Sequence, residues 1–425
     1  MRVAEPVLSG EATPCPSRLR HQNCHFHLFP SQARFHRCEP CRHGDHSSGV
    51  PGVTPKLVST ALPADAIALL DRGTAAPKQD HAQNSGVRAK RLTWLDTAKG
   101  LGIVLVVLGH AAGGLIDMNE PQLSWLHMLM FAIYTFHMPL FFLLSAVLVP
   151  ARIMKGRPAF ARSIVERIVY PYVIWSILQL TVIYLAGSLV NAPVNDYWTT
   201  ILSLPWHAVS QFWFLYSLAI LHLLAMLLPS IGAWGFVAMM VVGRILAQTL
   251  PIEGILGQTL LFGVFYGFGL VLNAPRLTQL RKPRPWMAAV GVGVLLLALS
   301  FSIRVDLLPL FQQDPRPSAG SVAGAAWELE VLPMAVLGTA VTIGLAMGLK
   351  GPLAAGLAYM GRNSMPIFLA HVIFVAGTRI VLWKLFGPID LLSLLLLLTA
   401  IGLIGPLLLR WIAMRLGVAK ILALQ

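Results

Sequence analysis

Long apolar runs separated by short polar stretches fill the chain from residue 97 to residue 412. Ten of them come close to the ~20 residues that a helix needs to cross a hydrocarbon core. They are 97–117, 125–149, 168–189, 209–229, 232–250, 254–273, 286–303, 329–349, 363–383 and 391–412. This pattern predicts an all-α fold, a polytopic membrane protein of about ten transmembrane helices. Glycine and proline fall inside several runs, which spanning helices tolerate because neighbouring helices satisfy the freed backbone groups.

Charge in the polar connections alternates. With the N-terminus in the cytoplasm, Arg88, Lys90, Arg91 and Lys99 flank the first run on the inside. Later inside loops carry Arg152, Lys155, Arg157, Arg162 and Arg167, then Arg276, Arg281, Lys282 and Arg284, then Lys350 and Arg362. Arg410, Arg415 and Lys420 close the series. The opposite loops hold Asp117, Glu120, Asp196 and Glu253, with Arg304, Arg316 and Lys384 as their basic residues. This is the positive-inside pattern, and it predicts that both termini are cytoplasmic.

Composition agrees with this picture. Hydrophobic residues make up 56% of the 425, charged residues only 12%, and the mean hydropathy is +0.69. Soluble domains carry about 25% charged residues. The net charge of +14 and pI of about 10.1 would point to nucleic acid in a soluble protein. Here the basic residues sit between apolar runs, beside anionic headgroups, and no basic–aromatic constellation argues for nucleic acid.

Residues 1–90 form a separate stretch rich in Pro, Ser, Arg and His, without a spanning run or a signal-peptide pattern. The expected organisation is therefore a disordered or non-native tail over 1–90 and a membrane domain over 91–425. All four cysteines (Cys15, Cys24, Cys38 and Cys41) lie in the tail, so no disulfide framework holds the membrane part. Cys38 and Cys41, among His25, His27, His36, His43 and His46, have zinc-ligand spacing but lack a second spaced pair. Accidental His/Cys richness and an upstream start are the alternatives to a zinc site, and no metal is assigned.

Ionisable side chains at membrane depth are costly and mark function by default. His110 stands eleven residues beyond Lys99, about 16 Å deeper at ~1.5 Å per residue. His137, His222, Arg244 and His371 fall in the central thirds of their runs, and such a set points to one shared polar cavity. The alternative for each is a hydrogen bond to a neighbouring helix, worth ~1 kcal/mol.

Five segments carry a resemblance. They are Trp94-Leu-Asp96-Thr-Ala-Lys99 through Gly109-His110, Phe136-His137-Met138-Pro139, Arg167-Ile-Val-Tyr-Pro171-Tyr172, Gln211-Phe-Trp213-Phe214-Leu215, and Asn363 through His371. In this order they resemble the membrane-bound acyltransferase 3 family, in particular its branch related to fucose 4-O-acetylases. The family commonly has Arg where this chain has Lys99, and Arg-x-x-Arg where it has Ile164 before Arg167. Lysine keeps the charge but lacks the bidentate fork.

The resemblance implies an O-acyltransferase in the bacterial inner membrane. It would move an acyl group, acetyl by the family's habit, from cytoplasmic acyl-CoA to a hydroxyl of an extracytoplasmic carbohydrate or glycolipid. The donor is a substrate, and no permanently bound cofactor is implied. His110 and His137 become the catalytic candidates, since a sugar hydroxyl needs a general base to attack a thioester. Lys99, Asp96, Arg162, Arg167, Gln211, Trp213, Arg244 and His371 become substrate-binding candidates, with Lys99, Arg162 and Arg167 toward the phosphates. Asp96 lies fourteen residues before His110, about 21 Å along the helix, too far to orient it. His137, Gln211 or a backbone carbonyl is left for that role. Two readings compete: a transporter or flippase for lipid-linked sugar, which midplane polar groups also suit, and a non-catalytic partner in polysaccharide export.

Overall fold

The computed structural model describes residues 92–116, 124–190, 193, 194, 196–250, 252, 254–279, 283–304, 330–387 and 389–425, all within one compact unit, Ser85–Gln425. The tail expected over 1–90 with its Cys/His cluster lies outside the described residues, as do Asp117, Glu120, Glu253 and Arg316. Among the described residues the chain is helical and contains no strand.

Helix α1 runs Thr93–Ile116 and α2 Ser124–Ala146. Two short helices follow, α3 (Val149–Met154) and α4 (Arg157–Ile164). A wide π-helical turn, Val165–Val169, leads into α5 (Tyr170–Ala186). Pro171 lacks the N–H that would bond the Arg167 carbonyl, which is where the helix departs from its regular turn. Asp196 caps the brief α6 (Tyr197–Ser203), its carboxylate accepting from the Thr199 amide at 3.1 Å. The side-chain and backbone donors of Thr199 hold that carboxyl below the usual range.

Next come α7 (Trp213–Leu224), α8 (Leu228–Thr249), α9 (Gly254–Leu272), α10 (Ala274–Gln279) and α11 (Pro283–Ile303). The last four are α12 (Leu332–Gly348), α13 (Gly351–Arg362), α14 (Ser364–Phe386) and α15 (Leu391–Arg415).

By length and composition, seven helical runs are able to cross a membrane, where the apolar pattern predicts about ten. Two of the predicted segments share the run Ser210–Thr249, which bends at Gly232 with φ 69° and ψ 170°. Two more are the shorter apolar helices Ala289–Ile303 and Leu332–Gly348. Apolar composition therefore places the segments, while glycine geometry and helix length set how they divide.

Helix α1 is the centre of the bundle and packs against α2, α12, α13, α14 and α15. Small residues allow that crowding. A Cβ on Gly361 of α13 would stand 1.7 Å from the Asp96 carbonyl oxygen, and one on Gly100 would stand 2.0 Å from the Leu357 carbonyl oxygen. On α15, a Cβ on Gly402 would meet Val107 of α1 at 2.6 Å and Val375 of α14 at 2.7 Å. In a bilayer, where helix association draws little from hydrophobic burial, such close backbone packing is a principal source of attraction. Large side chains fill the wider gaps: Phe142, Phe212, Phe236, Tyr266 and Trp175 are all fully buried.

The chain after α15 folds back on α5. The Trp175 indole donates to the Leu422 carbonyl at 2.8 Å and the Tyr170 hydroxyl to the Ile421 carbonyl at 2.7 Å, with Leu424 fully buried.

Gly361→Val should destabilise the purified protein by roughly 1–3 kcal/mol or more, because the added side chain meets backbone that cannot yield. Gly356→Ala, on the same helix with open space around it, should leave thermal unfolding in detergent unchanged.

Candidate active site

Three of the five ionisable residues expected near the midplane come together. His110 of α1 and His371 of α14 meet edge to face, with ring centroids 4.9 Å apart and planes at 85°. His137 of α2 lies close enough to His110 for a charge on one to be felt at the other. Its ring contacts Tyr134 one turn earlier at 4.9 Å, and Tyr134 in turn faces Gly109 of α1. His110 is half-buried, His137 buried, and His371 fully buried at 0% exposure. The half-open ring is thus the one backed by two closed ones.

All three imidazoles are held in the same way. His110 Nδ1 is 2.9 Å from the Val106 carbonyl, His137 Nδ1 is 2.8 Å from that of Ile133, and His371 Nδ1 is 2.8 Å from that of Phe368. A carbonyl only accepts, so Nδ1 carries the proton in each ring. In the neutral form Nε2 is then the lone-pair atom. The backbone one turn earlier therefore sets both the orientation and the tautomer of His110.

The other two midplane residues stand elsewhere. His222 of α7 bonds the Leu218 carbonyl at 2.9 Å, stacks on Phe160 of α4 at 5.6 Å and lies beside Tyr266 of α9. Arg244 of α8 donates to the Leu261 carbonyl of α9 at 2.6 Å. It also lines a small cleft with Tyr134, Thr135, Pro139, Phe262 and Val331. Pro139 lacks an N–H, which frees the Thr135 carbonyl of its helical partner at this cleft.

The remaining candidates scatter over the fold. Asp96 and Lys99 are half-buried near the start of α1. Arg162 is exposed and pairs with Glu166 at 2.7 Å, one turn along its own helix. An ion pair so exposed contributes little to stability. Arg167 is exposed in the π turn and has Arg152 of α3 as a charged neighbour. Gln211 forms a reciprocal amide pair with Gln179 of α5, at 2.7 and 3.2 Å, with both residues buried. Trp213 packs its ring on Phe262 at 5.4 Å and Phe142 at 6.1 Å.

Sequence reasoning passes over Arg379. It is buried on α14, two turns beyond His371, and its guanidinium donates to the Gly114 carbonyl in the last turn of α1. That carbonyl belongs to a helix end without intrahelical partners, where a cation also complements the helix dipole. An arginine inside an apolar run is a readable signal. Gln179 gives no such sign, since a single glutamine in an apolar helix does not name its partner.

A family model described as an acyltransferase domain matches residues 92–411. Among curated proteins, the chain is similar to nodulation protein NolL of Mesorhizobium japonicum, with 28% identity over 213 residues, 49% of this chain and 54% of that protein. It is also similar to nodulation protein NolL of Sinorhizobium fredii, with 30% identity over 192 residues, 43% of this chain and 50% of that protein. The chain therefore spans about half the length of the curated relatives it matches. No solved structure matches it.

The amide pair yields a clear expectation. Gln211→Leu strands the Gln179 amide in an apolar setting and should cost about 1–3 kcal/mol. Replacing both by Leu should cost less than the single change, as read by thermal unfolding of the purified variants.

Proposed function

The chain belongs to the acyltransferase 3 family, and from that premise we propose that it transfers an acyl group, acetyl by preference, from cytoplasmic acyl-CoA to a hydroxyl of an extracytoplasmic carbohydrate. The acceptor is an exopolysaccharide, a lipopolysaccharide or a secreted glycolipid. The enzyme is a multi-pass protein of the bacterial inner membrane with both termini in the cytoplasm. The observation that carries the reading is the meeting of His110 and His371, ring to ring at 4.9 Å, with His137 of a third helix near enough to His110 for their charges to interact.

In this mechanism the acceptor hydroxyl gives its proton to His110 Nε2 as its oxygen attacks the thioester carbonyl. The C–S bond then breaks, and the departing thiolate takes the proton back from His110. His137 offers the second Nε2 lone pair at the reacting centre. Its place beside His110 suits it to accept from the acceptor's hydroxyls. A charge at His110 forms away from bulk water, where pre-placed acceptors act most strongly.

The donor's phosphates are assigned to the basic residues at the opposite end of α1. Lys99 is half-buried there, and Arg152 and Arg167 are near enough for their like charges to interact. Two neighbouring guanidiniums suit a phosphate, which can bridge them. Arg162 is committed to Glu166 and is the weaker candidate of the basic set.

His110→Ala should lower acyl transfer by roughly 10²–10⁴-fold, the usual contribution of a general base, without loss of folded protein. Near-normal turnover in the purified variant would remove His110 from the mechanism. Lys99→Ala should act mainly on the KM for acyl-CoA. Mass spectrometry of surface polysaccharide from a deletion strain should show the loss of one acyl substituent.

A further inference from the structure

The most specific unexplained atom near the reacting centre is Nε2 of His371. It is buried beyond reach of solvent and has no hydrogen-bond partner among the described residues. The other ring nitrogen is fully engaged, since Nδ1 lies 2.8 Å from the Phe368 carbonyl and 3.1 Å from that of Ile367. A ring held this way by two carbonyls keeps its proton on Nδ1, so Nε2 is a bare lone pair in an apolar setting. Leaving such a group unsatisfied costs stability, because its desolvation is not offset by a hydrogen bond. A membrane protein that needed only to fill this volume would place an apolar residue here.

The surroundings narrow what that lone pair can serve. Phe368 lies on one side, its ring 6.0 Å from His371, and Phe368 in turn packs on Phe212 and Phe214. The polar ring it touches is that of His110, edge to face at 4.9 Å. His137 faces His110 from α2, and Arg379 holds the Gly114 carbonyl one turn further along α1. Helix α12 contributes no ionisable residue.

Resting on the acyl-transfer reading, we infer that His371 is a positioning residue: it remains neutral and stabilises the positive charge that His110 acquires when it takes the acceptor's proton. The proton passes from the hydroxyl to His110 Nε2 and from there to the departing thiolate, and His371 neither gains nor loses one. Its role is electrostatic. The negative Nε2 end of a neutral, buried ring in contact with the forming imidazolium favours the charged intermediate over the neutral ground state.

The test compares replacements in the purified full-length protein, with thermal unfolding measured alongside. His371→Phe conserves an aromatic ring and its contact with Phe368 but removes the lone pair. It should lower kcat by about tenfold to 100-fold while leaving both KM values within about twofold. His371→Gln offers an amide oxygen in place of Nε2 and should recover most of the rate. In a His110→Ala background, His371→Phe should have no further effect, because the charge it serves no longer forms.

A role in packing alone predicts the reverse, with Phe tolerated, Gln damaging and the effect unchanged without His110. That result would overturn the inference and leave the acyl-transfer reading standing. A wild-type protein that moves no acyl group would overturn both. His371→Leu carries the same comparison if the phenylalanine variant does not fold.

Discussion

The close approach of α1 to α13 is the contact from which the rest of the bundle takes its geometry. At Gly100 and Gly361 the two backbones come so near that a single methyl group on either would collide with a carbonyl oxygen. Packing of this kind gives helices in lipid a firm attraction where the hydrophobic effect supplies little. It also fixes the depth and rotation of α1. Lys99 and His110 share that helix, so the contact holds the basic end and the imidazole level in one rigid register. Gly402 repeats the device where α15 crosses α1 and α14.

A second constraint governs the polar groups. Inside an apolar medium each donor and acceptor must find its partner within the protein. Gln179 and Gln211 satisfy each other, Arg244 binds the Leu261 carbonyl, and Arg379 binds the exposed carbonyl end of α1. The histidines follow the same rule by bonding the carbonyl one turn earlier through Nδ1. Among the three that converge, burial differs: His110 is half-buried, whereas His371 is closed off at 0% exposure.

The basic residues divide by a similar logic. Arg162 finds Glu166 one turn along its own helix and faces solvent, where the pair is screened. Arg152 and Arg167 are near enough for their like charges to interact. The motif spacing before Arg167 falls on Ile164, and Arg162 is a neighbouring basic residue two positions earlier.

Much of this protein is legible in one dimension. Apolar runs of about twenty residues place the helical segments, because the hydrocarbon thickness sets a length that the chain must match. The expense of an ionisable group in that medium singles out His110, His137, His222, Arg244 and His371 before any fold is known. Only the tertiary structure decided which of them meet. His222, at similar depth, joins Phe160 and Tyr266 instead, and Arg379 and Gln179 acquire their roles from partners more than thirty residues away. The physical reason is that depth along a helix follows from counting residues. Rotation about its axis and the choice of neighbour depend on side-chain packing between helices, at contacts such as Gly100 and Gly361.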